Sequence, residues 1–205
     1  MQVSGNIVTM KPKLIPNDKI EKVLAKKGVM TAQELLVLLG NKMQIKRKSD
    51  EGILLPLGSG LYASPSLDPF TASVIATGRY YSQSVISGLT ALVIHELSDE
   101  SLDRVDVDVP RGTSIRNRLL NVHRVAEKNL IGIDQLNFHG QKIRIYDVER
   151  SLCEAYRIDA AGAIFYKALK RYVKKYPPKP ERLAKYDQAL KTQVLKHLQQ
   201  ELADA

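Results

Sequence analysis

The sequence predicts an α+β protein, and three observations predict it. Residues 31–63 run in the order helix, turn, basic helix, then two short apolar stretches around a glycine-rich turn. Residues 104–109 and 141–146 alternate polar and apolar side chains, the period of a half-buried strand. Residues 160–203 carry apolar side chains three or four apart, the period of a helix with one buried face. The first pattern is the layout of a winged helix-turn-helix. The remainder reads as a mixed α+β domain with terminal helices.

Each element has a local cause. Asn17 or Asp18, after Pro16, can cap a first helix with Ile20, Val23 and Leu24 on one face, and Gly28 ends it. Thr31 followed by Glu34 has the spacing of a capping box, so a second helix starts there. Leu35, Leu36, Leu38 and Leu39 give that helix a broad apolar face, and Gly40 stops it. Residues 41–48 form a third helix with Met43 and Ile45 as its core anchors, and Gly52 closes it. Residues 53–57 and 61–63 pair around Gly58-Ser59-Gly60, where glycine supplies the positive φ of a tight turn. The turn-rich Ser64-Pro-Ser-Leu-Asp-Pro69 places a boundary between a first domain, residues 1–63, and a second, residues 64–205.

The second domain opens with a helix over 70–78 and a mostly buried helix over 84–97, carrying Ile86, Leu89, Leu92 and Val93. Strands follow over 104–109, 119–125 and 141–146. Asp147 can cap a helix over 148–158. The helix over 160–176 carries Lys167, Lys170, Arg171, Lys174 and Lys175 at helical spacing, and Pro177-Pro178 breaks it. A single last helix over 181–203 aligns Leu183, Tyr186, Leu190, Val194, Leu198 and Leu202.

Charge separates the chain into three parts. The net charge is +9. Lys and Arg outnumber Asp and Glu by ten to five through Ala63, trail them eleven to thirteen over 64–160, and lead ten to four thereafter. Basic ends concentrate polyanions and acidic protein surfaces around them. No window approaches a membrane span, residues 1–10 lack the pattern of a signal peptide, and the one cysteine, Cys153, cannot form an internal disulfide. A cytoplasmic protein without a membrane partner is expected.

The third helix supplies the candidate DNA contacts. Asn41, Lys42, Gln44, Lys46, Arg47 and Lys48 combine side chains that read base edges with cations that neutralise phosphate. Thr31 and Gln33 near the start of the second helix and Ser59 at the wing tip are candidates for backbone contact. Lys167, Lys170, Arg171, Lys174 and Lys175 form a second candidate surface, for an acidic protein or for RNA.

Five segments stand out in order along the chain: Thr31-Ala-Gln-Glu-Leu-Leu36, Gly52-Ile-Leu54 leading to Gly60-Leu-Tyr-Ala63, Val85-Ile-Ser-Gly-Leu-Thr-Ala-Leu92 with His95-Glu-Leu97, Val109-Pro-Arg-Gly112, and Ile145-Tyr-Asp-Val-Glu-Arg-Ser-Leu-Cys153. Together they resemble the AbiEi antitoxins of type IV toxin–antitoxin systems, proteins of bacterial abortive phage defence. The resemblance implies that the winged helix represses the protein's own operon by binding repeats in double-stranded promoter DNA. It implies that the remainder counteracts a cognate nucleotidyltransferase toxin, with no stable complex required.

The enzymatic alternative is nucleotidyl transfer. Ser87-Gly88 precedes Asp106-Val-Asp108, whose carboxylates leave the same face of a strand and can share Mg²⁺, with Asp147 as a third ligand. Against it, Ser87-Gly88 reads as a helix start, and alternating Val-Asp is also what a half-exposed strand looks like. A non-enzymatic protein without a cofactor or resident metal is expected. His95, His123, His139 and His197 lack metal-ligand spacing, Cys153 reads as a buried structural thiol, and Gly58-Ser-Gly60 is too short for a dinucleotide fingerprint.

Overall fold

Two sheets and the helices around them account for residues 15–203, the span described by the computed structural model. The chain is α+β and divides into two compact units between Leu67 and Asp68. Residues 1–10, read above for a leader, lie outside the described span.

The first unit runs α1 (Asn17–Lys27), β1 (Val29–Thr31), α2 (Ala32–Leu39), α3 (Lys42–Asp50), β2 (Leu55–Gly58) and β3 (Leu61–Ala63). No side chain caps α1, because Pro16 holds the N-cap position and Asn17 already lies inside the helix. Gly28, at φ 70°, ends it and donates its N–H to the Leu24 carbonyl. At α2 the capping box forms. The Glu34 N–H donates to Thr31 Oγ1 at 3.1 Å and the Thr31 N–H to Glu34 Oε2 at 2.8 Å. Thr31→Ala is expected to lower the melting free energy of this unit by about 1 kcal/mol, measured by thermal denaturation. An unchanged melting curve would show the cap to be dispensable.

The sheet of this unit has the order β1-β3-β2, all antiparallel, with Val29 opposite Ala63 and Leu55 opposite the same residue on the other side. Strand β1 has only three residues, too few for a period of two to register in the sequence. Ile20, Leu24, Met30, Leu35, Leu39, Ile45 and Leu54 form the core. Met43 does not join them. It is 81% exposed, and the inward side of α3 is made by Ile45 and, one turn on, Lys48.

The second unit carries a mixed five-stranded sheet of order β6-β5-β4-β8-β7. Its elements are α4 (Pro69–Tyr80), β4 (Val85–Ile86), α5 (Gly88–Ile94), β5 (Val105–Pro110), β6 (Leu120–Val125), β7 (Ile133–Phe138), β8 (Gln141–Tyr146), α6 (Val148–Ile158), α7 (Ala163–Lys175), α8 (Pro180–Leu190) and α9 (Val194–Ala203). Helix α4 packs on β8 and β5, while α6 gathers α5, α7 and α8 around it.

Two expected helices are each two elements. The helix expected over 84–97 begins as strand β4, held between β5 and β8 through Ile86 opposite Val107 and Ile145. Fully buried Val85 and Ile86 make a central strand without alternation, which periodicity cannot separate from a buried helix. Gly88, at φ 53°, then turns the chain into α5. The helix expected over 181–203 breaks at Lys191, which adopts the left-handed conformation. Asp187 starts α9 by accepting hydrogen bonds from the Thr192 hydroxyl at 2.5 Å and the N–H groups of Val194 and Leu195 at 3.0 and 2.8 Å. The break occupies about one helical turn, so the apolar spacing runs through it unchanged. Leu183, Tyr186, Val194 and Leu198 are buried, but Leu202 is exposed.

Candidate functional site

Asn41 precedes α3 and its Oδ1 accepts the Gln44 N–H at 2.9 Å, so this side chain is committed to capping. Beyond it, Lys42, Met43 and Lys46 are exposed, and Gln44 and Arg47 are half-buried. Arg47 lies one turn from Glu51, its Nε 3.2 Å from Oε1.

Lys48 departs from the expected DNA-facing set. Only 4% exposed, it donates to Asn17 Oδ1 on α1 and to Glu51 Oε2 at 2.7 Å. The cause is helical phase, since three residues after buried Ile45 the side chain must point inward. Hydrogen bonding to the Lys48 ammonium holds the Glu51 carboxyl below the usual range. Lys48 therefore pins α3 to α1.

Thr31 is likewise committed, to its capping box, while Gln33 is exposed on α2. Ser59 is exposed at the turn between β2 and β3, at φ 51° between Gly58 at 86° and Gly60 at 73°. The Ala32 N–H donates to the Gly60 carbonyl at 2.7 Å and ties this turn to the start of α2. A groove of about 320 Å³ separates α3 from the strand pair, with Lys42, Lys46, Ser49, Pro56 and Tyr62 on its walls. Cations on one side of the groove and an exposed polar turn in the same unit suit a phosphate backbone.

In the second unit, α7 is basic as expected, yet three of its cations face carboxylates of the segment after α5. Lys167 and Arg171 share Asp99, the latter at 2.9 Å, and Lys175 meets Glu96. These hydrogen bonds hold the Asp99 carboxyl down at about 2. Lys170 and Lys174 are exposed on the same helix.

A cleft of about 410 Å³ brings together Ser87, Asp106, Asp108, Asn121, His123 and Glu154. The two carboxylates enter it from alternate positions of β5, as the sequence indicates. Both are engaged. Asp106 accepts from Asn121 Nδ2 at 2.8 Å and from the N–H and hydroxyl of Thr90, each at 3.3 Å. Asp108 Oδ2 accepts the Tyr146 hydroxyl at 2.8 Å. Asp147, the expected third ligand, instead caps α6 and accepts the Tyr186 hydroxyl at 2.5 Å. Among the described residues no three His, Cys, Asp or Glu side chains are arranged to hold a metal ion.

Behind the cleft lies a polar assembly that the sequence does not reveal. Fully buried Arg150 stacks 4.2 Å from the Tyr146 ring centre and donates to Glu154, which also accepts from Arg157 at 2.9 Å. Burial pushes the Asp108 carboxyl up, against the opposing effect of the Ser87 and Tyr146 hydroxyls. A carboxyl raised by folding contributes stability that is full below its unfolded range and is lost as pH rises through the folded value. Asp108→Asn is therefore expected to gain stability relative to the unmodified protein between pH 4 and pH 8, read from urea midpoints. A pH-independent difference would remove burial as the governing effect.

His95 Nε2 lies 2.7 Å from the Tyr146 carbonyl, and burial lowers its pKa. Cys153 is buried, with its thiol pushed up to about 12, so it is protonated at neutral pH. No helix among the described residues is long and apolar enough to cross a membrane.

No family model and no curated protein matches the chain. Among solved structures, the crystal structure of RV2827C protein from Mycobacterium tuberculosis is similar, with a TM-score of 0.60 and 16% sequence identity over 92% of this chain and 78% of that one. At that identity the likeness is one of fold alone.

Proposed function

We propose that this chain is a promoter-binding antitoxin of a type IV toxin–antitoxin system, acting in the cytoplasm. The first unit is read as a winged helix-turn-helix in which α3 enters the major groove and the turn at Ser59 lies along the backbone. The observation that carries this reading is the outward face of α3, where Lys42 and Lys46 are exposed beside the groove leading to β2 and β3. One small unit of this kind reads few base pairs, so two copies on a repeated site are expected. The antitoxin half rests on the resemblance to the AbiEi proteins. Lys170 and Lys174 are the α7 cations best placed to meet a partner, a nucleotidyltransferase toxin or the RNA it modifies.

The test is a fluorescence-anisotropy titration of the full chain against duplex DNA from upstream of its own gene and against a scrambled duplex. Own-site binding tighter by ~10³ is expected. With about six phosphates neutralised, log affinity should fall against log salt with a slope near −5. Equal affinity for both duplexes would reduce the first unit to a polycation. Co-expression with the toxin then tests the second activity, with restored growth as the expected outcome.

Nucleotidyl transfer is the alternative, favoured by Asp106, Asp108 and the buried Ser87 hydroxyl meeting in one cleft. Mg²⁺-dependent transfer of label from a nucleoside triphosphate, abolished by Asp106→Ala, would establish it.

A further inference from the structure

Met43 is the apolar exception on α3, as Lys48 is the charged one. Its neighbours Lys42 and Lys46 are exposed because they are charged, and Ile45 is buried because it is apolar. Met43 is apolar and 81% exposed, and among the large apolar side chains of the described residues only Val37 is more exposed. Helical phase accounts for where it points. Residues 45 and 48 face inward, so position 43 lies on the opposite side, one turn before Lys46 and Arg47. It is also the second residue of α3, in the first turn, which is the part of a recognition helix that approaches base edges.

We propose that Met43 reads the 5-methyl group of a thymine in the major groove. This rests on the DNA-binding reading above and makes it specific. The floor of the major groove is otherwise a pattern of hydrogen-bond donors and acceptors, and the thymine methyl is its one apolar group. A thioether cannot read donors and acceptors at useful strength, but it packs well on a methyl and adjusts to its position. The flanking cations hold the phosphates on either side, so Met43 supplies sequence preference where they supply affinity.

The test compares two duplexes from upstream of the gene, one natural and one with every thymine replaced by deoxyuracil, which removes only the 5-methyl groups. Both are titrated against the full unmodified chain and against Met43→Ala. Circular dichroism confirms the variant's fold. The unmodified protein is expected to bind the deoxyuracil duplex roughly fourfold more weakly for each methyl read, the worth of one buried methyl group. Met43→Ala is expected to bind both duplexes alike. Indifference of the unmodified protein to the exchange would overturn the proposal, as would a variant that keeps the full ratio, because the methyls would then be read elsewhere or through DNA shape. Failure to prefer the natural duplex over a scrambled one would overturn the DNA-binding reading itself, and this proposal with it.

Discussion

Arg150→Ala is expected to destabilise the second unit by about 3–5 kcal/mol, the cost of leaving a buried ion pair half-dismantled. Arg150 is fully buried, stacked on Tyr146 and hydrogen-bonded to Glu154, and Tyr146 in turn donates to Asp108. Alanine leaves a void beneath the Tyr146 ring and leaves Glu154 with Arg157 alone, from the solvent side. Two causes contribute, a carboxylate that has lost its buried cation and a cavity, and a pair of further variants separates them. Arg150→Met fills most of the void without the charge. Arg150→Met combined with Glu154→Leu removes the carboxylate as well. If the loss of the buried cation dominates, the double variant recovers most of the loss in urea denaturation. If it is no more stable than Arg150→Met, packing dominates. A loss below about 1 kcal/mol for Arg150→Ala would mean that the stack and the ion pair contribute little.

Replacing Lys42 and Lys46 together by alanine is expected to weaken promoter binding roughly 50-fold at 0.1 M salt and to make the log–log salt slope shallower by about two. Each lysine that neutralises one phosphate releases about 0.9 of a counterion, which fixes both numbers. Both side chains are exposed and neither is part of the core of the first unit, so the fold should survive. The variant should still protect cells from the toxin while failing to repress its operon. Loss of both activities at once, in a folded protein, would join functions that are read here as separate. Lys46→Ala with Arg47→Ala should also weaken binding, but Arg47 has Glu51 beside it and is the less free of the two.

Local rules carried much of the fold and failed where tertiary structure overrides them. Thr31 with Glu34 and Asp147 before α6 were legible because a cap is a contact between near neighbours in sequence. Gln141 to Tyr146 was legible because one face of that strand is buried and the other is not. Strand β4 was lost because it is buried on both sides, and β7 because this edge strand, with most of its side chains exposed, has no strict alternation to detect. The division of the last helix left no trace in apolar spacing. Asp187, which makes it, looks like any other surface carboxylate in the sequence. Residue type also misled at α3, where Met43 was expected inside and Lys48 outside. Once Ile45 is fixed as the inward anchor, helical phase gives Lys48 correctly, but no rule of composition does. The α7 cations were visible, and their partners Glu96 and Asp99 were not, being some seventy residues away.

The inward turn of Lys48 makes α3 its own reference for chemical footprinting. An amine-acylating reagent reaches the exposed ammonium groups of Lys42 and Lys46 in the free protein, but at Lys48 it meets a side chain closed off by Asn17 and Glu51. Three lysines within seven residues thus report two different events. Protection of the first two on adding DNA marks occupancy of the groove face, whereas new labelling at the third marks separation of α3 from α1. A single peptide, read by mass, distinguishes a ligand that covers this helix from one that loosens it.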